Sequence, residues 1–296
     1  MDFSQVKLNC SRLGVVMSEP KGALTDKMFE KLEWLKGKEQ LTDKQEVERI
    51  ELQFRMDNYN PKALSQGCML YLMFLYQYHK YGKQIQFSKK QAPVAMVKGT
   101  RMEKSSLEII KRVTGYDLYR YKSKLSNDRL KGQLDVIDAQ HIDDSTKIID
   151  IKTSYSQFDF MKKVATEANR KDCDQMQGYF AITGKDNGEI YYTLADFTED
   201  MIQEQRVQLL DLLCPDGHET EYFIEEWSIL ERSMRFDHIP DEERIIVQTV
   251  ERDDKYIGKI YEKVDFCREW LAEFESKHKK KIADQLEKWK GNISYR

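Results

Sequence analysis

Ile148-Ile149-Asp150-Ile151-Lys152-Thr153 is the stretch on which the fold turns, a β-branched run with a carboxylate and an ammonium set two residues apart inside it. β-Branched residues at this density favour a strand. Side chains alternate along a strand, so Ile148, Asp150 and Lys152 share one face and Ile149 and Ile151 the other. An acid two residues before a lysine also occurs at Glu19, Asp253 and Glu275, so the spacing alone carries no information. Asp150 differs from these three in being flanked by isoleucines. Burying its charge is costly unless it is paired or binds something. A partly buried Asp-Lys pair is the plain structural alternative.

The neighbouring run Gly132-Gln133-Leu134-Asp135-Val136-Ile137-Asp138 places Asp135 between apolar residues. In an antiparallel hairpin turning near residues 142 to 145, Asp135 approaches Asp150. Two adjacent carboxylates repel and raise one pKa, and a divalent cation relieves that repulsion. Hard oxygen ligands with an incomplete protein shell suit magnesium or manganese.

Further out, Tyr116 to Ser123, Gly132 to Asp138 and Thr146 to Thr153 read as three strands of an antiparallel meander, with turns at Asn127-Asp128 and Asp143-Asp144-Ser145. A helix over about 97 to 114, stopped by Gly115, precedes them. A helix over about 170 to 183, ending at Gly184, and a strand Glu189 to Leu194 follow. The order helix, three strands, helix, strand predicts an α+β core. Residues 1–95 read as a helical flank, 96–195 as the α/β core and 196–296 as a mostly helical flank, all in one domain. Thr42 with Gln45 forms a capping box for a helix striped by Val47, Ile50 and Phe54, which Pro61 closes. Ser65 caps the apolar helix after it. Arg244 to Val250 reads as a further strand, and Ile257, Ile260, Val264, Cys267, Leu271 and Phe274 form the stripe of a last long helix.

The longest apolar run, Cys68 to Tyr76, is far short of the roughly 20 residues of a membrane span. The first residues carry no secretory pattern. Five scattered cysteines without a C-x-x-C suit a reducing cytoplasm and argue against zinc-ribbon or iron-sulfur sites. No Walker loop and no H-E-x-x-H occurs, which argues against an NTPase and a zinc peptidase.

A third acid comes from the helix before the meander. Glu103 shares a stripe with Leu107 and Ile110, whereas Glu108 falls with Arg101, Lys104 and Arg112 on the polar side. Three carboxylates and a lysine on a sheet fit metal-assisted phosphodiester hydrolysis. One ion activates a water, a second stabilises the leaving oxygen, and Lys152 orients or helps deprotonate the nucleophile.

On these residues the chain resembles the PD-(D/E)XK nuclease superfamily, and within it the lambda-exonuclease or YqaJ-type viral recombinase family. Glu103 looks like the helix glutamate, Asp135 like the first strand aspartate, and Asp150-Ile151-Lys152 like the (D/E)-x-K signature. Gln175-Met176-Gln177-Gly178-Tyr179 looks like the following glutamine motif, with Gln175 and Tyr179 one turn apart. The resemblance extends to Ser11-Arg12-Leu13-Gly14, Phe158 to Lys162 and Glu251 to Tyr256. It implies a restriction-endonuclease-like core and one or two Mg2+ (or Mn2+) ions held by Glu103, Asp135, Asp150 and the Ile151 backbone carbonyl, with Lys152 and Gln175 completing the catalytic set. The implied activity is a 5′→3′ exonuclease on double-stranded DNA in phage-type recombination, often a homotrimer beside a single-strand annealing protein. Two departures stand out. Asn9 occupies a position where the family often has an arginine for the DNA 5′-phosphate, which leaves Arg12 or Arg101 for that role, and Leu134-Asp135 replaces the usual proline-aspartate.

The net charge of −3 argues against wholesale nucleic-acid coating. Residues 81 to 131, however, hold thirteen Lys or Arg against four Asp or Glu. Positive charge is thus concentrated next to the expected site, where Tyr116, Tyr119 and Tyr121 are candidates to stack on bases, with strand packing the plain alternative; Arg12, Arg101, Gln175 and Tyr179 are read as DNA contacts. Competing readings are a restriction-type or structure-specific endonuclease on the same core and a non-catalytic DNA-binding module.

Overall fold

The computed structural model describes residues 2–20, 24–57, 59–60, 63–82 and 94–293. In chain order the elements are β1 (Leu8–Asn9), α1 (Leu13–Val16), α2 (Asp26–Lys36), α3 (Asp43–Asp57), α4 (Gln66–Tyr81), α5 (Val94–Thr114), β2 (Tyr119–Arg120), β3 (Leu125–Ser126), β4 (Leu130–Gly132), β5 (Val136–Ile137), β6 (Ile148–Thr153), α6 (Gln157–Val164), α7 (Arg170–Thr183), β7 (Asn187–Thr193), α8 (Glu199–Leu213), α9 (Glu221–Arg232), β8 (Ile245–Glu251) and α10 (Asp254–Ile293). The architecture is α+β.

Two compact units form. The first comprises Met1–Val6, Arg12–Gln84 and Lys259–Arg296, and the second Lys7–Ser11 and Ile85–Gly258. These boundaries differ from the flank, core, flank division. Residues 196–258 join the core because β8 pairs antiparallel with β7 along its whole length.

The second unit is built on a five-stranded sheet in the order β2-β5-β6-β7-β8. β5 pairs antiparallel with both β2 and β6, and β6 and β7 run parallel with Asp150 opposite Ile190 and Lys152 opposite Tyr192. The expected meander is therefore present, with one correction. The Asn127-Asp128 turn does not join its first two strands; it closes the hairpin β3–β4, which forms a separate three-stranded sheet with β1. Gly132 accordingly ends β4, and the chain bends through Gln133 to Asp135 before β5 begins. The β5–β6 turn is held by Asp138, whose carboxylate accepts from the Ser145 hydroxyl at 2.7 Å and the Thr146 N–H at 2.9 Å.

The isoleucine alternation sets the layers. Ile149 and Ile151 pack with Val136, Tyr191, Leu118 and the α5 residues Leu107 and Ile110. On the other face α7 lies close to β7 because residue 188 is glycine: a Cβ there would strike Met176 and Phe180. α5 also packs Met102 and Ile109 against Met201 and Ile202 of α8, with Trp227 and Leu230 of α9 beside them.

In the first unit the Thr42–Gln45 capping box forms, with bonds of 3.2 and 3.4 Å, and Ser65 caps α4 by accepting from the Cys68 N–H. The expected α3 stripe is corrected. Val47, Ile50 and Phe54 are exposed, and Leu52 is the residue that packs against Leu32 and Leu35 of α2. α4 is likewise two-faced, burying Cys68, Leu72, Leu75 and Tyr76 while Leu70 and Phe74 stay exposed. Pro61 lies outside the described residues. Along α10, Ile257, Ile260, Val264, Cys267 and Leu271 are buried as their spacing predicts, and Phe274, the last of the stripe, is half-buried. All five cysteines are thiols, and among the described residues no helix is long and apolar enough to cross a membrane.

Candidate active site

The second unit carries a cleft of about 760 Å³ between the hairpin sheet and the mouth of the main sheet. Glu103, Asp135, Gln175 and Tyr179 line it together with Lys7, Asn9, Arg120, Lys122, Lys124 and Lys131. Asp150 and Lys152 meet it through their contacts with Asp135 and Gln175.

Asp150 sits in the middle of β6 and is fully buried. Its Oδ1 accepts from Gln175 Nε2 at 2.9 Å. Its Oδ2 is ion-paired with Lys152 Nζ at 2.8 Å. Lys152 Nζ donates to Gln175 Oε1 at 3.1 Å. Gln175 thus holds both members of the pair with one amide, an acceptor toward the lysine and a donor toward the carboxylate. The same Nε2 reaches Tyr179 Oη at 2.8 Å, and Tyr179 in turn donates to the Gln133 carbonyl at 2.9 Å, anchoring the bend that leads into Asp135. Gly132 permits this approach, since a Cβ there would lie 2.9 Å from the Tyr179 ring.

Asp135 Oδ2 accepts from the Ile151 N–H at 2.9 Å, beyond the last β5–β6 pair, Val136 with Ile149. In an extended strand the N–H and C=O of one residue point to the same edge, so the Ile151 carbonyl is directed to the side on which Asp135 stands. Burial and the charge of Asp150 push the Asp135 carboxyl up to about 7. Burial also raises Asp150 despite the opposing pull of Lys152. Burial disfavours the Lys152 ammonium, but Asp150 and Asp135 overcome this and hold its pKa above the ordinary lysine value. Two carboxylates held together with raised pKa values, Asp150 fully buried and Asp135 half-buried at the cleft, are the donor set that a hard divalent cation satisfies.

Glu103 faces the cleft as its helical phase predicts, and Glu108 is exposed. The Glu103 carboxylate is engaged by Arg120, whose Nη2 and Nε both donate to Oε1, at 2.6 and 3.1 Å. Among the described residues no three His, Cys, Asp or Glu side chains converge as a metal-binding group, and the Glu103 charge bears on Asp135. Of the residues read as DNA contacts, Tyr121, Tyr179 and Gln175 line the cleft and Arg101 does not. Arg101 is bound on α8 by Glu204 at 2.9 Å and Asp200 at 3.5 Å. Arg12 is exposed, belongs to the first unit and is not among the lining residues.

Residue-level reading of the sequence missed Arg120, Lys122 and Lys124 individually, although their period of two marks one face of an extended segment. It also missed Asp172, which accepts from Tyr192 Oη at 2.7 Å and whose charge bears on Asp150 and Lys152.

No family model and no curated protein sequence matches the chain. Solved structures do. A phage-related exonuclease from Haemophilus somnus 129PT superposes with a TM-score of 0.58 at 16% identity, over 93% of this chain and 97% of that one. An alkaline exonuclease from Laribacter hongkongensis superposes with a TM-score of 0.53 at 16% identity, over 96% of each chain, and the same enzyme in complex with dAMP does so equally. The chain thus has the fold of these phage-related and alkaline exonucleases.

Proposed function

We propose that this protein is a magnesium-dependent DNA exonuclease that hydrolyses linear duplex DNA from the 5′ end, in the setting of phage-type recombination or end resection in the cytoplasm. One observation carries the reading. On a fold shared with exonucleases, the Asp135–Asp150 pair, Asp150 fully buried and Asp135 half-buried, opens with Lys152 beside it onto a cleft lined with lysines. The dAMP held by one fold relative supports a deoxynucleotide substrate class.

Asp135, Asp150 and the Ile151 carbonyl would hold the cation, with Glu103 as the third acid. When bound, a magnesium ion lowers the pKa of a coordinated water and offsets charge on the scissile phosphate. Gln175 fixes the Lys152 ammonium next to Asp150, where it can orient the attacking water and meet charge developing on phosphate oxygen. Lys122, Lys124 and Lys131 draw the duplex backbone toward the cleft. Burial keeps Tyr179 a neutral phenol, so its part is to hold Gln175 and not to exchange protons. The family resemblance adds a ring-shaped homotrimer and a single-strand annealing partner, which sedimentation and co-purification test directly.

The deciding experiment incubates end-labelled linear duplexes, with and without a 5′-phosphate, in magnesium and in chelator, alongside covalently closed circles. Mononucleotides should appear from the 5′ end in magnesium, none in chelator, and the circles should stay intact. Efficient cutting of circles would sink the exonuclease reading, and cleavage in chelator the metal requirement. Asp150→Ala and Lys152→Ala should each lose about 10³-fold in rate while remaining folded.

A further inference from the structure

The third acid of the site is engaged by a cation of the protein's own. Arg120 ends β2, the edge strand, paired with Val136, the residue after Asp135. Its guanidinium grips one oxygen of Glu103 inside the cleft. The pair is half-open to water, with Arg120 44% and Glu103 25% exposed, and ion pairs this exposed are held weakly. Asp135 and Asp150, by contrast, take their contacts from the Ile151 N–H, Gln175 and Lys152. Resting on the metal-dependent reading above, we propose that Arg120 is a positioning residue that exchanges partners. It holds Glu103 until a divalent cation claims that carboxylate, and the freed guanidinium then takes a phosphate of the duplex.

Three features of the structure support the exchange. Arg120 and Glu103 line the same cleft, so the guanidinium needs no change of location to meet DNA. Its neighbours along the chain, Lys122 and Lys124, line that cleft too, and a planar fork among ammonium groups suits bidentate capture of phosphate. Of the three acids, Glu103 is also the one that an arginine of the chain already holds. Because binding linkage is reciprocal, cation and DNA each raise the other's affinity through this one side chain.

The test uses the full-length protein. Isothermal titration with Mn2+ alone is run on wild type, Arg120→Gln and Lys122→Gln, and duplex binding is measured with phosphorothioate-capped DNA that resists cleavage, with and without Mn2+. Arg120→Gln should bind Mn2+ about fivefold more tightly than wild type in the absence of DNA, and the gain in DNA affinity that Mn2+ gives wild type should fall by about the same factor. Lys122→Gln removes an equal charge without touching Glu103, so it should weaken DNA binding alike in both conditions. Arg120→Lys keeps the charge and loses the fork; it should retain part of the restraint on Mn2+ and lose the coupling. It also stands in if the glutamine variant is unstable. Equal Mn2+ affinity in wild type and Arg120→Gln, or a matching effect of Lys122→Gln, would overturn the exchange while leaving the nuclease reading intact. A wild-type protein that binds no Mn2+ would end both.

Discussion

Asp135 and Asp150 are held together at a cost that the folded chain bears. In the unfolded chain Asp135 gives up its proton near the ordinary value of 3.8, whereas in the folded protein it keeps it to about 7. Between those values the folded state binds a proton that the unfolded state has lost, so stability declines as pH rises through this window and is lowest above 7. Asp135→Asn removes the ionisation but keeps an oxygen to accept from the Ile151 N–H. In chelator, its melting temperature should exceed wild type at pH 8 by several degrees, at about 2–4 °C per kcal/mol for a domain of this size, and the difference should shrink toward pH 5. The same variant should lose cleavage by about 10³-fold. A melting temperature at or below wild type at pH 8 would show that the repulsion is relieved in some other way.

Helix α5 carries a second buried charge, away from the acids. Lys98 is fully buried, its Nζ 4.0 Å from the Phe197 ring centre and 5.1 Å from that of Phe236, and it donates to the Tyr155 carbonyl at 3.0 Å. It thereby ties α5, which bears Glu103, to the loop leaving β6, which bears Asp150 and Lys152. Burial pushes Lys98 down to about 7, with Asp196 pulling up and Arg244 pushing down. A lysine depressed in the folded state binds fewer protons there than in the unfolded chain from about pH 7 to 10.5, so its penalty is full below 7 and fades as pH rises through that range. Lys98→Met fits the aromatic surroundings without the charge. Its melting temperature relative to wild type should be most favourable at pH 6 and lose that advantage by pH 10, and a pH-independent difference would rule out a titrating Lys98. Much at this scale was legible in the sequence. Capping chemistry at Thr42, Ser65 and Gly184 located helix ends, and isoleucine alternation located β6. What escaped depends on neighbours distant in sequence. Turn chemistry at Asn127-Asp128 tells where the chain reverses but not which sheet receives it, and the spacing of Val47, Ile50 and Phe54 marks an apolar face without showing whether anything covers it. Arg120 meets Glu103 across seventeen residues and a change of element, beyond the reach of any periodicity.

Over the whole molecule the charge is uneven, and on the proposed reading that unevenness decides how a duplex approaches. A net charge of −3 would repel a polyanion if it were spread evenly, but the cleft gathers Lys7, Lys122, Lys124 and Lys131 beside the acids. Counterion release makes the role of each lysine separable, because every phosphate left without its cationic side chain lowers the slope of log affinity against log salt by about 0.9 on duplex DNA. Lys122→Gln with Lys124→Gln should therefore reduce that slope by roughly 1.8, measured by anisotropy in chelator between 50 and 200 mM salt. Arg101→Gln serves as the control. Its guanidinium is already occupied by Glu204 and Asp200 and lies outside the cleft lining, so the slope should stay unchanged. If instead Arg101→Gln lowered the slope and the double lysine variant did not, the duplex would run along α8 and not through the cleft. The acids would then be served from the opposite side of α5, and the assignment of Lys122 and Lys124 to the DNA backbone would have to be withdrawn.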